Sequence, residues 1–187
     1  MELKTVYFDN PGSENTDAVL SIARQRAEEL GIKTILVAST RGDTGVKAVA
    51  ILKGLKVIVV SHVTGFREPD TQELTGESRK IIEGKGGAVL TAAHAFAGLS
   101  RAMSNKYNMH VTGDVIADTL RTLGQGMKVA CEIPLVAADS GLVSTDEDVI
   151  SIAGTDRGAD TAIVLKPVNT HHFFDLKVRE ILCKPHF

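Results

Sequence analysis

The stretch ILVASTRGDTGVKAVAI, residues 35–51, decides the fold. Its first three residues are aliphatic, then Ala38 leads into the polar turn Ser39-Thr40-Arg41-Gly42-Asp43-Thr44-Gly45. Val46, Ala48, Val49 and Ile51 resume an apolar pattern, now at helical spacing. This is a buried strand, a tight turn and a helix. Working outward, Glu14–Leu30 has helical spacing with Gly31 as its C-terminal cap, Thr34–Ala38 is a strand, and Thr44–Lys53 is a helix stopped by Gly54. Val57–Val60 is a wholly aliphatic strand, as expected where both faces are covered.

The same rhythm runs through the rest of the chain. Thr5–Phe8 reads as a first strand, Asp70–Glu83 as a polar helix and Ala88–Leu90 as a strand. Ala92–Met103 and Asp114–Leu123 read as helices. In Met127–Val143 the period is ambiguous, and Pro134 suits the first turn of a helix ending at Gly141. Val149–Ala153 and Ala162–Leu165 read as strands joined by the loop Gly154–Thr161, and Phe173–Cys183 as a short amphipathic piece. Alternating strands and helices predict one α/β domain over residues 1–187, a three-layer, doubly wound and mostly parallel sheet with a C-terminal antiparallel hairpin. Ligands in such sheets bind at the carboxyl ends of the strands, where the strand order reverses.

Composition bounds the function. The 187 residues are 43% hydrophobic and 24% charged, with a net charge of −2. That balance gives no electrostatic footprint for nucleic acid or an anionic membrane. Aromatic residues make up 4%, with no Trp, which argues against a base-stacking platform. No apolar run approaches membrane-spanning length. No secretory leader is expected, and Cys131 and Cys183 stand far apart without a motif. Both features suit reduced thiols in a cytoplasmic protein. The histidines, cysteines and carboxylates form no metal-ligand pattern, and no serine sits in a Gly-x-Ser-x-Gly elbow.

Two loops carry the candidate chemistry. In residues 39–45, backbone amides at a helix start favour an anion, Gly42 and Gly45 allow close approach, and Arg41 and Lys47 add charge. The turn fits neither the Walker spacing nor the dinucleotide fingerprint. The alternative is a plain connection in which Asp43 or Thr44 caps the helix. The second loop, Thr155-Asp156-Arg157-Gly158-Ala159-Asp160-Thr161, repeats the pairing of Arg-Gly with hydroxyls after an apolar strand. The two could hold one anion from both sides, or the second could be a hairpin turn with a surface arginine. His62-Val63-Thr64-Gly65-Phe66 follows the most apolar strand. There His62 could serve in acid–base chemistry and Phe66 could cover a planar ring. His94, Asn15 and Thr16 also follow strands and reach the same edge if the sheet is parallel.

The order helix, Ile35–Gly42, helix, Val57–Val60, together with the last hairpin and its Gly154–Thr161 loop, resembles the C-terminal α/β domain of pyruvate kinase. The strings Pro11–Thr16, Ser39–Gly45, His62–Phe66, Thr91–His94, Gly154–Thr161 and Phe173–Pro185 are more similar to a stand-alone archaeal and bacterial family built on that domain. In pyruvate kinase these two loops form a sugar-phosphate effector site. The stand-alone family implies a flavin mononucleotide (FMN) ligand. Its phosphate is then expected on Ser39, Thr40, Arg41, Gly42, Asp43, Thr44 and Gly45. The loop residues Thr155, Arg157, Gly158, Asp160 and Thr161 would close the other side. His62, Thr64, Gly65, Phe66 and His94 would line the ring, and Asn15 and Thr16 would complete the site at the same edge. The expected function is binding of a phosphorylated small molecule, FMN first, with flavin-dependent oxidoreduction as its enzymatic extension. The alternative is a non-catalytic module sensing a sugar phosphate. Kinase activity is not implied, because the chain has no room for the pyruvate kinase barrel. The resemblance and the mixed charged and apolar tail are compatible with a homo-oligomer.

Overall fold

A computed structural model describes residues 2–187. The opening stretch forms β2 (Thr34–Ala38), a turn, and α2 (Asp43–Ile51). Around them the chain runs β1 (Val6–Phe8), α1 (Thr16–Leu30), then β3 (Lys56–Ser61), α3 (Gly76–Gly84), β4 (Ala88–Thr91), α4 (Gly98–Tyr107), α5 (Thr112–Arg121) and α6 (Gln125–Asp139). The strands β5 (Val149–Ala153), β6 (Thr161–Lys166) and β7 (Lys177–Pro185) complete it.

The seven strands form one sheet in the order β1-β7-β6-β5-β2-β3-β4. The pairs β2–β3, β3–β4, β2–β5 and β1–β7 are parallel, and only β6 runs against its neighbours. Successive residues of a strand face opposite ways, so each strand feeds two cores. Ile35 and Val37 of β2 pack with α1, α2 and Ile82 of α3 on one face. Leu36 packs with Met127, Ala130 and Cys131 of α6 on the other. Helices on both faces explain why these strands are continuously aliphatic. The fold is thus the expected three-layer α/β arrangement with its antiparallel hairpin. β3 and β4 step outward from one side of β2, and β5 returns to its other side. The strand order therefore reverses between β2 and β5, and their carboxyl ends open a crevice there.

The elements depart from expectation in four places. α6 begins at Gln125, so Pro134 lies inside the helix rather than in its first turn. The proline removes the amide that would meet the Ala130 carbonyl. Twelve of the fifteen α6 residues are buried, and that packing outweighs the missing bond. α4 begins at Gly98, not Ala92, because residues 92–97 are drawn inward as a loop: buried Phe96 donates its N–H to Glu132 Oε1 at 2.9 Å. α3 begins at Gly76, where the Thr75 hydroxyl accepts the Ser78 amide at 3.1 Å. The tail is a strand. After a 3-10 turn at Thr170–Asp175, β7 inserts between β6 and β1. Arg26 of α1 fastens it by donating from Nε and Nη2 to both oxygens of Glu180, each at 2.8 Å.

Candidate functional site

The crevice is a cleft of about 760 Å³ at the carboxyl ends of β2, β3, β4 and β5. Its first wall is the turn after β2. Buried Ser39 turns its hydroxyl inward and accepts the Gly45 amide at 3.1 Å, so Ser39, rather than Asp43 or Thr44, ties down the start of α2. Gly42 has φ 109°, and a Cβ there would lie 2.2 Å from Ser78 Cβ. Gly45 lets α2 press on β3, since its Cβ would meet Val59 and Ile82 at 2.9 Å. The amides of Asp43 and Thr44, in the first turn of α2, have no intrahelical acceptor. Arg41, Asp43, Thr44 and Lys47 line the cleft above them.

The second wall is the β5–β6 loop, and its buried residues frame it. The carboxylate of fully buried Asp160 accepts the amides of Gly12 and Thr155, each at 3.0 Å, and the Thr161 hydroxyl at 2.7 Å. Thr16 Oγ1 accepts the Ala159 amide at 3.0 Å while donating to the Ser13 carbonyl. Gly158 has φ 73° and sits so close to the turn before α1 that a Cβ would lie 2.4 Å from Ser13 Cα. This frame leaves Asp156 and Arg157 exposed at the loop tip, facing the cleft. Neither Arg41 nor Arg157 pairs with a carboxylate among the described residues.

The third wall is aromatic. His62 and Phe66 have ring centroids 4.3 Å apart, and His94 lies 5.3 Å from His62 and 5.2 Å from Phe66. The Arg101 guanidinium sits over the Phe66 ring at 5.2 Å. His62 is held at both ring nitrogens: Nδ1 is 2.7 Å from Glu73 Oε2, and Nε2 is 3.3 Å from Thr40 Oγ1. Burial lowers the His94 pKa from its ordinary value, against the opposing pull of Glu132. Behind His94 stands a buried ion pair, Lys128 with Glu132, one helical turn apart on α6. Seven cationic side chains against four carboxylates line the cleft, which favours an anionic ligand.

Of the expected site residues, Thr16, Ser39, Thr40, Arg41, Asp43, Thr44, His62, Phe66, His94, Arg157 and Gly158 line this one cleft. Asn15, Gly42, Gly45, Thr64, Gly65, Thr155, Asp160 and Thr161 stand behind it as framework. Asn15 Nδ2 donates to the Asn10 and Gly12 carbonyls at 2.8 and 3.3 Å. Gly65, at φ 81°, donates its amide to the Thr71 carbonyl, and Thr64 Oγ1 accepts from Gln72. Sequence reasoning missed Ser61, Arg67, Arg101, Lys128 and Glu132 on the lining, and Glu73 behind His62. Lys128 and Glu132 left a signal, two charges four residues apart within an otherwise apolar run. Glu73 left none, because it lies in irregular chain eleven residues from its partner.

Residues 17–165 match the family model of the pyruvate kinase alpha/beta domain. Among solved structures, a pyruvate kinase from Cryptosporidium parvum is 13% identical, with a TM-score of 0.45 over 82% of this chain. The pyruvate kinase of that organism in complex with ADP is also 13% identical, with a TM-score of 0.41 over 89% of the chain. An O-ureido-L-serine synthase is 19% identical, with a TM-score of 0.31 over 51%. The chain spans 23% of the length of each of these pyruvate kinases and 30% of the synthase.

Proposed function

The chain belongs to the pyruvate kinase alpha/beta domain family, and from that premise we propose that it binds a phosphorylated planar ligand, FMN, in the cleft between its two Arg-Gly loops. The observation that carries this reading is the convergence on one cleft of an aromatic trio and two arginines that pair with no carboxylate among the described residues. The phosphate is assigned to the Asp43 and Thr44 amides with Arg41 and Arg157. The ring is assigned to Phe66, His62 and His94. The cleft lies within the range of small-molecule sites, roughly 300–1,000 Å³. A bound flavin supplies hydride chemistry of its own. What this chain contributes is an anion cradle, an aromatic wall and imidazoles beside it.

The test is a visible absorption spectrum of the purified protein, repeated after addition of FMN and gel filtration. A retained flavin band is expected. Arg41→Ala and Arg157→Ala should each weaken retention, and their effects should be non-additive if both arginines hold one phosphate. Additive, negligible losses would sink the two-loop site. A second reading, a non-catalytic sensor of a sugar phosphate, draws on the hydroxyl-bearing side chains Ser13, Thr40 and Ser61 on the lining. A colourless protein that melts at higher temperature with sugar phosphates, but not with FMN, would select it.

A further inference from the structure

We propose that Thr40 is a nucleophile activated by His62, and that the cleft thereby hydrolyses small carboxylic esters. This goes beyond ligand binding and does not rest on the flavin reading. Three side chains from separate stretches form one hydrogen-bonded line: Glu73 Oε2 to His62 Nδ1 at 2.7 Å, and His62 Nε2 to Thr40 Oγ1 at 3.3 Å. A carboxylate only accepts, so the imidazole hydrogen belongs on Nδ1 and the Nε2 lone pair faces the Thr40 hydroxyl. Arg67 Nε occupies the other Glu73 oxygen at 3.1 Å, and Gln72 Nε2 donates to the His62 carbonyl at 3.0 Å. The imidazole is therefore fixed in tautomer and in place. Among the described residues the Thr40 hydroxyl makes no other hydrogen bond, and Thr40 lines the cleft. Nucleophile, base and orienting carboxylate are the three parts that acyl transfer requires, and in a ligand-free site the nucleophile–base distance is commonly long. Arg41 and the first amides of α2 place positive potential beside Thr40, where an oxyanion would develop.

The chemistry balances without a further reagent. Thr40 Oγ bonds to the ester carbon as its proton passes to His62 Nε2. The tetrahedral centre collapses, the carbon–oxygen bond to the leaving group breaks, and that group departs as an alcohol with the proton from Nε2. Water repeats the sequence, its proton passing through Nε2 to Thr40 Oγ, and releases the carboxylic acid. Glu73 touches no reacting atom and is a positioning residue.

The experiment exposes the full chain to an alkyl fluorophosphonate and maps the adduct by mass spectrometry, with p-nitrophenyl acetate hydrolysis followed in parallel. One adduct per chain is expected on Thr40, with fluoride lost. His62→Ala and His62→Gln should slow labelling and hydrolysis by at least about a hundredfold. Thr40→Val should abolish both. Nitrogen-15 NMR should find the Nδ1-protonated tautomer of His62 in the parent protein and a mixture in Glu73→Gln, a difference that a purely structural role would not produce. No adduct after prolonged exposure, an adduct on another hydroxyl, or labelling indifferent to both His62 variants would overturn the proposal. FMN retention, read by absorbance on the same samples, reports separately on the binding site.

Discussion

Asp160 holds the second loop together from inside. Its carboxylate is fully buried and answers three donors, two of them backbone amides. Asp160→Ala leaves those donors without acceptors and should cost about 3 kcal/mol in a urea melt, while also unseating Arg157 from the cleft. Lys128→Met strands Glu132 as an uncompensated buried carboxylate, and a loss of about 3–5 kcal/mol is expected by the same measurement. His94 sets a pH dependence. Burial lowers its folded pKa, so between that value and the ordinary one near ~6.5 the unfolded chain takes a proton that the fold refuses. Stability should therefore fall as pH drops below about 6.5, and His94→Gln should flatten that slope in denaturation curves. At this scale the sequence revealed the loops better than their occupants. Gly42, Gly158, Arg41 and Arg157 are legible because glycine beside charge after a strand has few other uses. Glu73 and Arg101 reach the site from irregular chain and another helix, and spacing along the chain carries no trace of such meetings.

At the scale of elements, apolar period located the inner strands well: β2 and β5 fall on the expected residues, because strands covered on both faces must be aliphatic. Period failed where burial was complete or tertiary pairing decided the outcome. α6 is buried on nearly all sides, which hid both its first two turns and its internal proline. β7 is held by strands on either side, a circumstance its alternating charges did not announce. The loop at 92–97 lost its helical expectation to one hydrogen bond from Phe96 to a charge on α6. Close packing between elements gives its own prediction. Gly158→Ala pushes a methyl group into Ser13, just before α1, and strains the native φ. Stability should drop by about 2 kcal/mol, and anion affinity should fall with it, as read by calorimetry.

Over the whole molecule, the sheet divides two cores, and each holds one thiol: Cys183 on the α1–α2 side, Cys131 on the α6 side. Burial pushes both thiols up to about 12. Unfolded thiols ionise near ~8.5, so above that pH the unfolded chain releases protons that the fold retains, and stability should decline through the alkaline range. Neither thiol should react with a disulfide reagent in the native protein. If the layers open together, both should be modified at one rate equal to global unfolding; two separate rates would reveal that one face peels away alone. The edge of the sheet adds a consequence in time. Among the described residues β1 pairs with β7 and with no other strand, Val6 against Cys183. On a ribosome adding roughly 5–20 residues per second, β1 emerges on the order of ten seconds before that partner exists. Until then a short strand bearing Tyr7 waits outside a growing sheet, and the sheet closes on that side only after β7 has been made.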